Sequence, residues 1–417
     1  MLKRNPALCA QLHHPEAGGA SRRPAWASAS SAVALGCLLV AAACGPAPTV
    51  LSVSVPPDAA GVVPLKVTVA DPGGGAVSVR IRASLDGGLS WRPGHYGTAP
   101  TGLVAAPSGT EHIVEWDSIK DVGFHTPAAV RLEVVAEGSS GVSAPLQVST
   151  GIIDNLRARA RRIQSYVVNY GDWNDSAIAF AKQHDLVIVH PTASQLTREF
   201  IADLQHGQDA ADPADDVLVL CYVSVGEDGR LFNLTDAQAR SDPRFRGDGT
   251  GPRVDPRGPN ADGQPLTNIP LLGSPSSGGT GWASYYLDDN SVFLSASGKG
   301  DGIPDRNSIF GGYFVNAGDP KWFDVIDADR FEQDGIYGLR EVLTASWGRS
   351  LDCDGVFLDT IDTAAPNNFT SAASLNLSKF EWTAPGMSLF IKHLHEVYPH
   401  RLLLQNRGLF YFDLRQP

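Results

Sequence analysis

An apolar run that ends in a glycine and a carboxylate constrains the fold of this chain more than any other feature. Residues 221–227 read CYVSVGE, and a second run of the same kind, residues 355–362, reads GVFLDTID. Such runs are typical of strands that are buried on both faces, as in parallel sheets. Parallel α/β barrels place reactive groups at the carboxyl ends of their strands. Glu227 and Asp359 are therefore candidate site residues that converge from distant parts of the chain.

Two converging carboxylates suggest a particular chemistry. Glycoside hydrolysis requires a pair of acids on either side of the scissile bond. Burial at the end of an apolar strand raises the pKa of a carboxyl group, so Glu227 is expected to stay protonated near neutrality and to act as a general acid. The structural alternatives are that Glu227 caps the following loop and that Asp359 caps the next helix.

The first part of the chain is predicted to be all β. The 417 residues are enough for two hydrophobic cores. Up to about residue 149, short segments of alternating hydrophobicity are separated by Asp-Pro-Gly and Asp-Gly-Gly turns, which favours an antiparallel sandwich over residues 44–150. Trp91 and Trp116 are expected in its core rather than on a sugar-binding surface. The predicted strands are 51–55, 65–69, 77–81, 113–116 and 130–135.

Residues 155–417 have a different pattern, in which apolar strands alternate with helical segments. This pattern predicts an α/β fold with a parallel sheet or barrel. Residues 228–312 are rich in Gly, Pro, Asp and Asn, and we interpret them as an insertion that covers the site. The predicted strands are 163–169, 186–189, 217–225, 313–316, 356–358 and 402–405, and the predicted helices are 175–183, 195–205 and 387–398.

The N-terminus predicts export. Four basic residues precede an apolar stretch over residues 32–43, which has the length of a signal-peptide core and is too short to span a bilayer. The stretch ends in VAAAC and resembles a bacterial lipobox, which implies that residues 1–43 are removed and that Cys44 is lipidated. The chain would then be anchored to the bacterial cell envelope. Cleavage elsewhere by an ordinary signal peptidase is the alternative.

The net charge limits the classes of ligand that the protein can bind, and the cysteine content limits its disulfide bonds. The formal net charge of −12 argues against nucleic acid and is compatible with a cationic polymer. After Cys44 only Cys221 and Cys353 remain, which excludes a disulfide framework, and both are expected to be buried strand residues.

Six segments, in order, resemble the glycoside hydrolase family 114 superfamily, which includes endo-α-1,4-polygalactosaminidases. The resemblance covers about residues 164–412 and implies a (β/α)8-type barrel that acts on an amino-sugar polysaccharide without a cofactor. The family has eight βα units, whereas six strands are found here and the last two are missing. The segments are SYVVNYGDW at 165–173, HDLVIVHP at 184–191, YVSVGE at 222–227, YFVN and DPKW at 313–322, DGVFLDTID at 354–362 and QNRG at 405–408.

The resemblance also implies residue roles. Glu227 matches the family's catalytic glutamate, and Asp359 and Asp362 look like active-site acids. The family's other essential acid is an aspartate on the second strand; here His190 stands at that strand's carboxyl end and Asp185 at its start. Asp185 remains a catalytic candidate if the strand is shifted. A non-catalytic polysaccharide-binding protein is the alternative function.

Further candidates for sugar binding follow the other strands. An aromatic residue beside an acid suits a sugar face and its hydroxyl or amino group. The candidates with this pattern, or with polar groups at a strand end, are Tyr170, Asp172, Trp173, Tyr222, Asn406 and Arg407.

One segment of the sequence resembles a metal-binding motif, a calcium loop. Residues 299–307, KGDGIPDRN, resemble a calcium-binding repeat, but Ser297, Lys299 and Ser308 stand where carboxylate ligands are required. A tight turn is the favoured interpretation, and no metal or cofactor is expected.

Overall fold

The computed structural model describes residues 45–191, 195–231, 234–258, 261, 264–288, 300–307, 309–328, 330–366 and 380–408. The signal segment and Cys44, the calcium-like residues Ser297, Lys299 and Ser308, and the last nine residues of the chain lie outside these ranges. No helix within the described ranges is long and apolar enough to cross a membrane.

The N-terminal strands pair antiparallel, as the alternating pattern predicts. The strands are β1 (Thr49–Ser54), β2 (Val62–Ala70), β3 (Ala76–Ser84), β4 (Arg92–Pro93), β5 (Leu103–Val104), β6 (Thr110–Asp117), β7 (Ala128–Gly138), β8 (Gly141–Val142) and β9 (Leu146–Ile153). One sheet has the order β1-β2-β6, and the other has the order β4-β3-β7-β8, with β5 against β3 and β9 against β7. Buried residues of both sheets form one core, in which Trp116 has no exposed surface.

Five later strands form a parallel sheet in the order β10-β11-β12-β17-β18. Each strand lies beside the next one of its sheet along the chain, without the reversal of order that marks doubly wound sheets. Among the described residues, β10 and β18 are the edges of this sheet. The strands are β10 (Tyr166–Asn169), β11 (Leu186–Val189), β12 (Leu218–Ser224), β17 (Gly355–Asp359) and β18 (Leu402–Gln405).

The prediction of a sixth parallel strand at 313–316 is wrong. Tyr313–Phe314 forms β16, which pairs antiparallel with β13 (Glu227–Asp228), in the order Glu227 with Phe314 and Asp228 with Tyr313. Two residues of apolar sequence are compatible with either pairing, and the partner strand decides between them. The remaining short pair is β14 (Arg253–Val254) with β15 (Ser274–Pro275).

Helices of the described residues lie against both faces of the parallel sheet and in the insertion. They are α1 (Ser118–Val122), α2 (Leu156–Ala160), α3 (Asp175–Ala181), α4 (Arg198–Gln205), α5 (Asp236–Ser241), α6 (Pro243–Arg246), α7 (Pro320–Asp327), α8 (Phe331–Asp334), α9 (Leu339–Leu343) and α10 (Ala384–Val397). The three helices predicted from periodicity are present as α3, α4 and α10; α3 ends earlier than predicted, α4 begins later, and α10 is shifted at both ends. Thr197 caps α4 by accepting from the N–H of Phe200.

The two faces of the sheet belong to different hydrophobic clusters because successive side chains of a strand alternate. Val219 and Cys221 of β12 pack with helical residues such as Leu204 and Leu394. Leu218 and Leu220 lie on the other face. There they pack with Leu186, Ile188, Leu156, Ile119 and Phe124.

The two cysteines are free and fully buried. Cys221 lies in β12 as expected, but Cys353 precedes β17 rather than belonging to a strand.

Candidate functional site

Both candidate acids lie at the carboxyl edge of the parallel sheet: Asp359 ends β17, and Glu227 follows the end of β12 by three residues as the first residue of β13. Ser224 of β12 is paired with Asp359 of β17. The N–H of Val225 donates to the carbonyl of Asp359 at 3.0 Å, so the chain leading to Glu227 is held against the end of β17. The parallel sheet therefore brings together acids that are far apart in sequence.

A close backbone approach positions Glu227. The N–H of Gly226 donates to Oγ1 of Thr360 at 2.7 Å, and Oγ1 of Thr363 donates to the carbonyl of Gly226 at 3.1 Å. A Cβ on Gly226 would lie 2.0 Å from the carbonyl oxygen of Thr360. The glycine that precedes the glutamate is thus required by packing.

Glu227 is buried, with 7% of its surface exposed. Burial raises the pKa of its carboxyl group to about 7, opposed by a hydrogen bond from Asn307 and assisted by the charges of Asp362 and Asp359. Asn307 donates from Nδ2 to Oε1 of Glu227 at 2.6 Å. A carboxyl group with this pKa is half protonated near neutral pH and can donate or accept a proton there.

Asp359 is held by two side-chain donors. The hydroxyl of Tyr222 donates to Oδ2 at 2.7 Å, and Nδ2 of Asn406 donates to Oδ1 at 2.6 Å. These donors come from β12 and from the residue that follows β18, so three strands fix one carboxylate. The hydrogen bonds from neutral groups orient Asp359 while leaving its charge available to a substrate.

An aromatic row lies beside Asp359 on the same face of the sheet. The rings of His190 and Tyr222 are stacked at 4.9 Å between centroids, and Tyr170 contacts both edge-on, at 5.6 and 5.4 Å. Burial lowers the pKa of His190, which favours its neutral form. Tyr170 is 52% exposed. The row offers a flat, partly exposed surface of the kind on which sugar rings stack.

Asp362 and Arg407 border this site on its exposed side. Nη1 of Arg407 lies 3.3 Å from Oδ2 of Asp362, and both side chains retain exposed surface. Exposed ion pairs of this kind contribute little to stability, so both groups are available to a polar ligand.

A buried ionic network lies behind Glu227. Asp228 accepts from Nε and Nη2 of Arg230 at 2.9 and 2.7 Å and from the hydroxyl of Tyr286 at 2.7 Å. Burial opposes ionisation of Asp228, but Arg230 outweighs it and holds the pKa of Asp228 below its ordinary value. The network anchors β13 and hence the backbone of Glu227.

Asp185 lies at the opposite edge of the sheet, directly before β11 begins. Its carboxylate accepts from Nη2 of Arg159 at 2.8 Å and from the backbone of Gln164 and Ser165. Although burial acts in the opposite direction, these donors lower the pKa of Asp185. The structure therefore gives Asp185 a role in joining α2 to the sheet and does not bring it to Glu227 and Asp359.

Trp173 and Asp172 do not form the aromatic and acid pair expected for sugar binding. Trp173 is 6% exposed and packs against Phe200 of α4, with 5.3 Å between ring centroids, so its ring faces cannot stack on a sugar. Asp172 is exposed, and its carbonyl lies 3.5 Å from the Asn169 amide. The burial of Trp173 indicates that this side chain packs beneath the loop and has a structural role.

Sequence reasoning missed Asn307, which contacts the predicted acid directly. It belongs to the insertion, 80 positions beyond Glu227. The sequence carries one signal that could have pointed to it, the PDRN turn sequence, because Asn in a turn usually bonds to nearby backbone. Nothing in that pattern identifies a distant carboxylate as its partner.

The described residues contain no group of three or more His, Cys, Asp or Glu side chains arranged to hold a metal ion.

Comparison with known proteins identifies no family. No family model matches the chain, and no curated protein matches it. Among solved structures, it is similar to a maltogenic amylase from S. marinus with a TM-score of 0.28 and 10% identity, over 83% of this chain and 50% of that one. A protein assigned as a β-galactosidase from Bacteroides fragilis gives a TM-score of 0.17 and 9% identity, over 85% of this chain and 46% of that one.

A protein assigned as a superoxide reductase from Thermotoga maritima gives a TM-score of 0.15 and 6% identity, over 25% of this chain and 85% of that one. This chain thus spans about half the length of the amylase and of the β-galactosidase. Similarities at these TM-scores identify neither a fold family nor an activity.

Proposed function

We propose that the chain is a glycoside hydrolase that cleaves an α-linked, galactosamine-containing polysaccharide, and that its parallel sheet is part of a (β/α)8-type barrel. One observation carries the proposal: Glu227, with a pKa raised to about 7, lies at the same edge of the sheet as Asp359. The motif resemblance to family 114 supports the choice of substrate.

The proposed mechanism uses both acids. Protonated Glu227 donates its proton to the glycosidic oxygen, which becomes the leaving hydroxyl. Asp359, oriented by Tyr222 and Asn406, stabilises the positive charge that develops at the anomeric carbon. Water adds to that carbon and gives its proton to the Glu227 carboxylate, which completes the hydrolysis and restores the acid. Tyr170, His190 and Tyr222 offer the stacking surface, and Asp362 is placed to attract an amino group.

The test is release of reducing ends from partially deacetylated α-1,4-galactosaminogalactan. We expect cleavage by the mature chain, and a loss of at least about 1,000-fold with Glu227→Gln and with Asp359→Asn. Asp203→Asn is the matched control, because this exposed aspartate pairs with Lys182 at a distance of 2.8 Å, away from Glu227 and Asp359 in sequence. Asp185→Asn should lower stability and retain cleavage.

A non-catalytic polysaccharide-binding protein is the second candidate. The observation in its favour is that both oxygens of Asp359 are already engaged by Tyr222 and Asn406. Binding of the same polymer without release of reducing ends would establish this alternative and refute the hydrolase.

We propose further that the protein is exported and held at the cell envelope by a lipid on Cys44. The lipobox-like sequence supports this. Metabolic labelling with an alkyne fatty acid should mark the wild-type chain and not Cys44→Ser.

A further inference from the structure

A groove of about 560 Å³ lies between α2, α10 and the start of β18. It is separate from the candidate site. Arg401 and Leu402 line it at the amino end of β18, whereas Asn406 reaches Asp359 beyond the carboxyl end. At about 3.3 Å per residue, the four steps from Leu402 to Asn406 span about 13 Å.

The groove is basic, in a chain whose net charge is −12. Five basic side chains and no acidic side chain line it among the described residues: Arg157, Arg161, Lys392, His395 and Arg401. A concentration of one sign of charge in a concave surface raises the local concentration of counter-charged ligands.

Part of this charge is not neutralised within the protein. Arg401 is paired with Asp352 at 2.5 Å. In contrast, no carboxylate of the described residues forms an ion pair with Arg157 or Arg161; Arg157 contacts His395 at 3.2 Å and the carbonyl of Pro399 at 3.1 Å. Lys392 lies 3.8 Å from Glu396, and both of these side chains are largely exposed.

The floor of the groove is apolar. Ile391 of α10 and Leu402 and Leu403 of β18 line it, and all three are partly buried. A groove with an apolar floor and a basic rim fits a ligand that is apolar over most of its length and negatively charged at one end. Its volume is in the range of small-molecule sites.

We propose that this groove binds a small amphipathic anion, with its phosphate or carboxylate head against Arg157, Arg161 and Lys392 and its apolar body on Ile391, Leu402 and Leu403. Arginine forms bidentate hydrogen bonds with such heads. The proposal is independent of the hydrolase activity.

Calorimetric titration of the mature chain with monomeric dodecyl phosphate at low ionic strength tests it. We expect saturable binding, weakened roughly tenfold by Arg161→Gln and by Lys392→Gln, since each loses one exposed charge-assisted contact. Lys66→Gln is the matched control, because this lysine is exposed on β2. Dodecyl maltoside and inorganic phosphate should each bind at least about tenfold more weakly.

Three results would overturn the proposal. They are absence of dodecyl phosphate binding, equal binding of the neutral detergent or of inorganic phosphate, and unchanged affinity in the Arg161→Gln/Lys392→Gln double variant. Ser388→Trp gives a second check, because Ser388 lines the groove on exposed surface and a larger side chain there should block the ligand without altering the core. Melting temperatures of all variants establish that they are folded.

Discussion

Asn307 donates from Nδ2 to Oε1 of Glu227 at 2.6 Å, while its own Oδ1 accepts from the N–H groups of Ile309 and Phe310. The two backbone donors require an oxygen at Oδ1, so the amide nitrogen must face the glutamate. Because Oε1 of Glu227 is an acceptor, the proton of the neutral acid is carried on Oε2. Gly312 lies beside Oε2, because a Cβ at that position would be 3.0 Å from this oxygen.

Removing this hydrogen bond should change the pH dependence of the proposed hydrolysis. The Asn307 bond lowers the pKa of Glu227, so Asn307→Ala should raise it and move the alkaline limb of the pH–rate profile upward by about one unit. Asn307→Asp keeps the acceptor for the two backbone N–H groups and adds a like charge, so it should move the limb further. An unmoved limb in both variants would contradict the role given to Asn307.

The free energy of unfolding should also depend on pH because Glu227 is buried. Its pKa in the folded chain is about 7, raised from an ordinary value of 4.5. Between these values the folded state binds more protons than the unfolded state, so stability falls as pH rises from 4.5 to 7, by on the order of 3 kcal/mol. Urea unfolding at pH 5 and pH 8 should show this loss in the wild type and a much smaller one in Glu227→Gln.

Tyr222→Phe should lower turnover without unfolding the chain. Burial, and then the charge of Asp359, raise the pKa of Tyr222 well above its ordinary value, so its hydroxyl remains a donor to Asp359. Loss of one hydrogen bond to a charged group should reduce kcat roughly 10- to 100-fold. Tyr166→Phe, on the exposed face of β10, is the control and should retain wild-type turnover. A larger effect on melting temperature than on kcat would assign Tyr222 to packing.

Gly226→Ala should destabilise the chain by roughly 3 kcal/mol, because the new Cβ would meet the carbonyl oxygen of Thr360 and Oγ1 of Thr363 at 2.0 and 2.6 Å. The backbone would have to move, and Glu227 with it. Gly151→Ala is the matched control, since its nearest neighbour is 3.8 Å away. Chemical denaturation measures both, and equal stabilities would show that the close approach at Gly226 is relieved without cost.

His125 should stabilise the fold in a pH-dependent manner. Nδ1 lies 2.7 Å from Oδ1 of Asp354, and Nε2 lies 3.4 Å from Oδ2 of Asp216. Burial lowers the pKa of His125, but the two carboxylates outweigh it and raise the pKa to about 10. The contribution is complete below pH 6.5 and is lost as pH rises through about 10.

His125→Gln should therefore cost about 3 kcal/mol at pH 6 and clearly less at pH 10.5, because at the lower pH it removes the cation nearest to the buried carboxylates of Asp354 and Asp216. His393→Gln serves as control, since this side chain is about half exposed. The measurement is urea unfolding at both pH values. A cost that is independent of pH would show that His125 acts through packing alone.

Local sequence was sufficient for elements whose hydrophobic pattern is unambiguous. The continuous apolar runs predicted β11, β12 and β17, and alternation predicted β1, β2, β3, β6 and β7, because burial on two faces or on one sets the order of apolar residues. The antiparallel strand β9 was not predicted. The pattern failed at 313–316, where a short apolar segment is equally compatible with a parallel and an antiparallel partner.

Some features of the candidate site could also be predicted from the sequence, and others could not. The sequence shows that Glu227 and Asp359 each follow an apolar run. If both runs are parallel strands of one sheet, the two acids lie at the same edge of that sheet. The sequence placed Asp185 at the start of its strand but kept it as a candidate, because the limits of a short strand are not fixed by its apolar pattern. The sequence could not find Asn307, or show that Trp173 is buried, since both depend on where the insertion and α4 lie.

The sequence by itself thus determined the strands and helices that have a clear hydrophobic period, because that period depends only on neighbouring side chains. Tertiary structure alone decided which distant groups meet: Asn307 with Glu227, Asn406 with Asp359, and His125 with two carboxylates. These contacts determine which side chains are hydrogen-bonded and which are removed from water. The raised pKa of Glu227 results mainly from its burial, which the residues next to it in sequence do not predict.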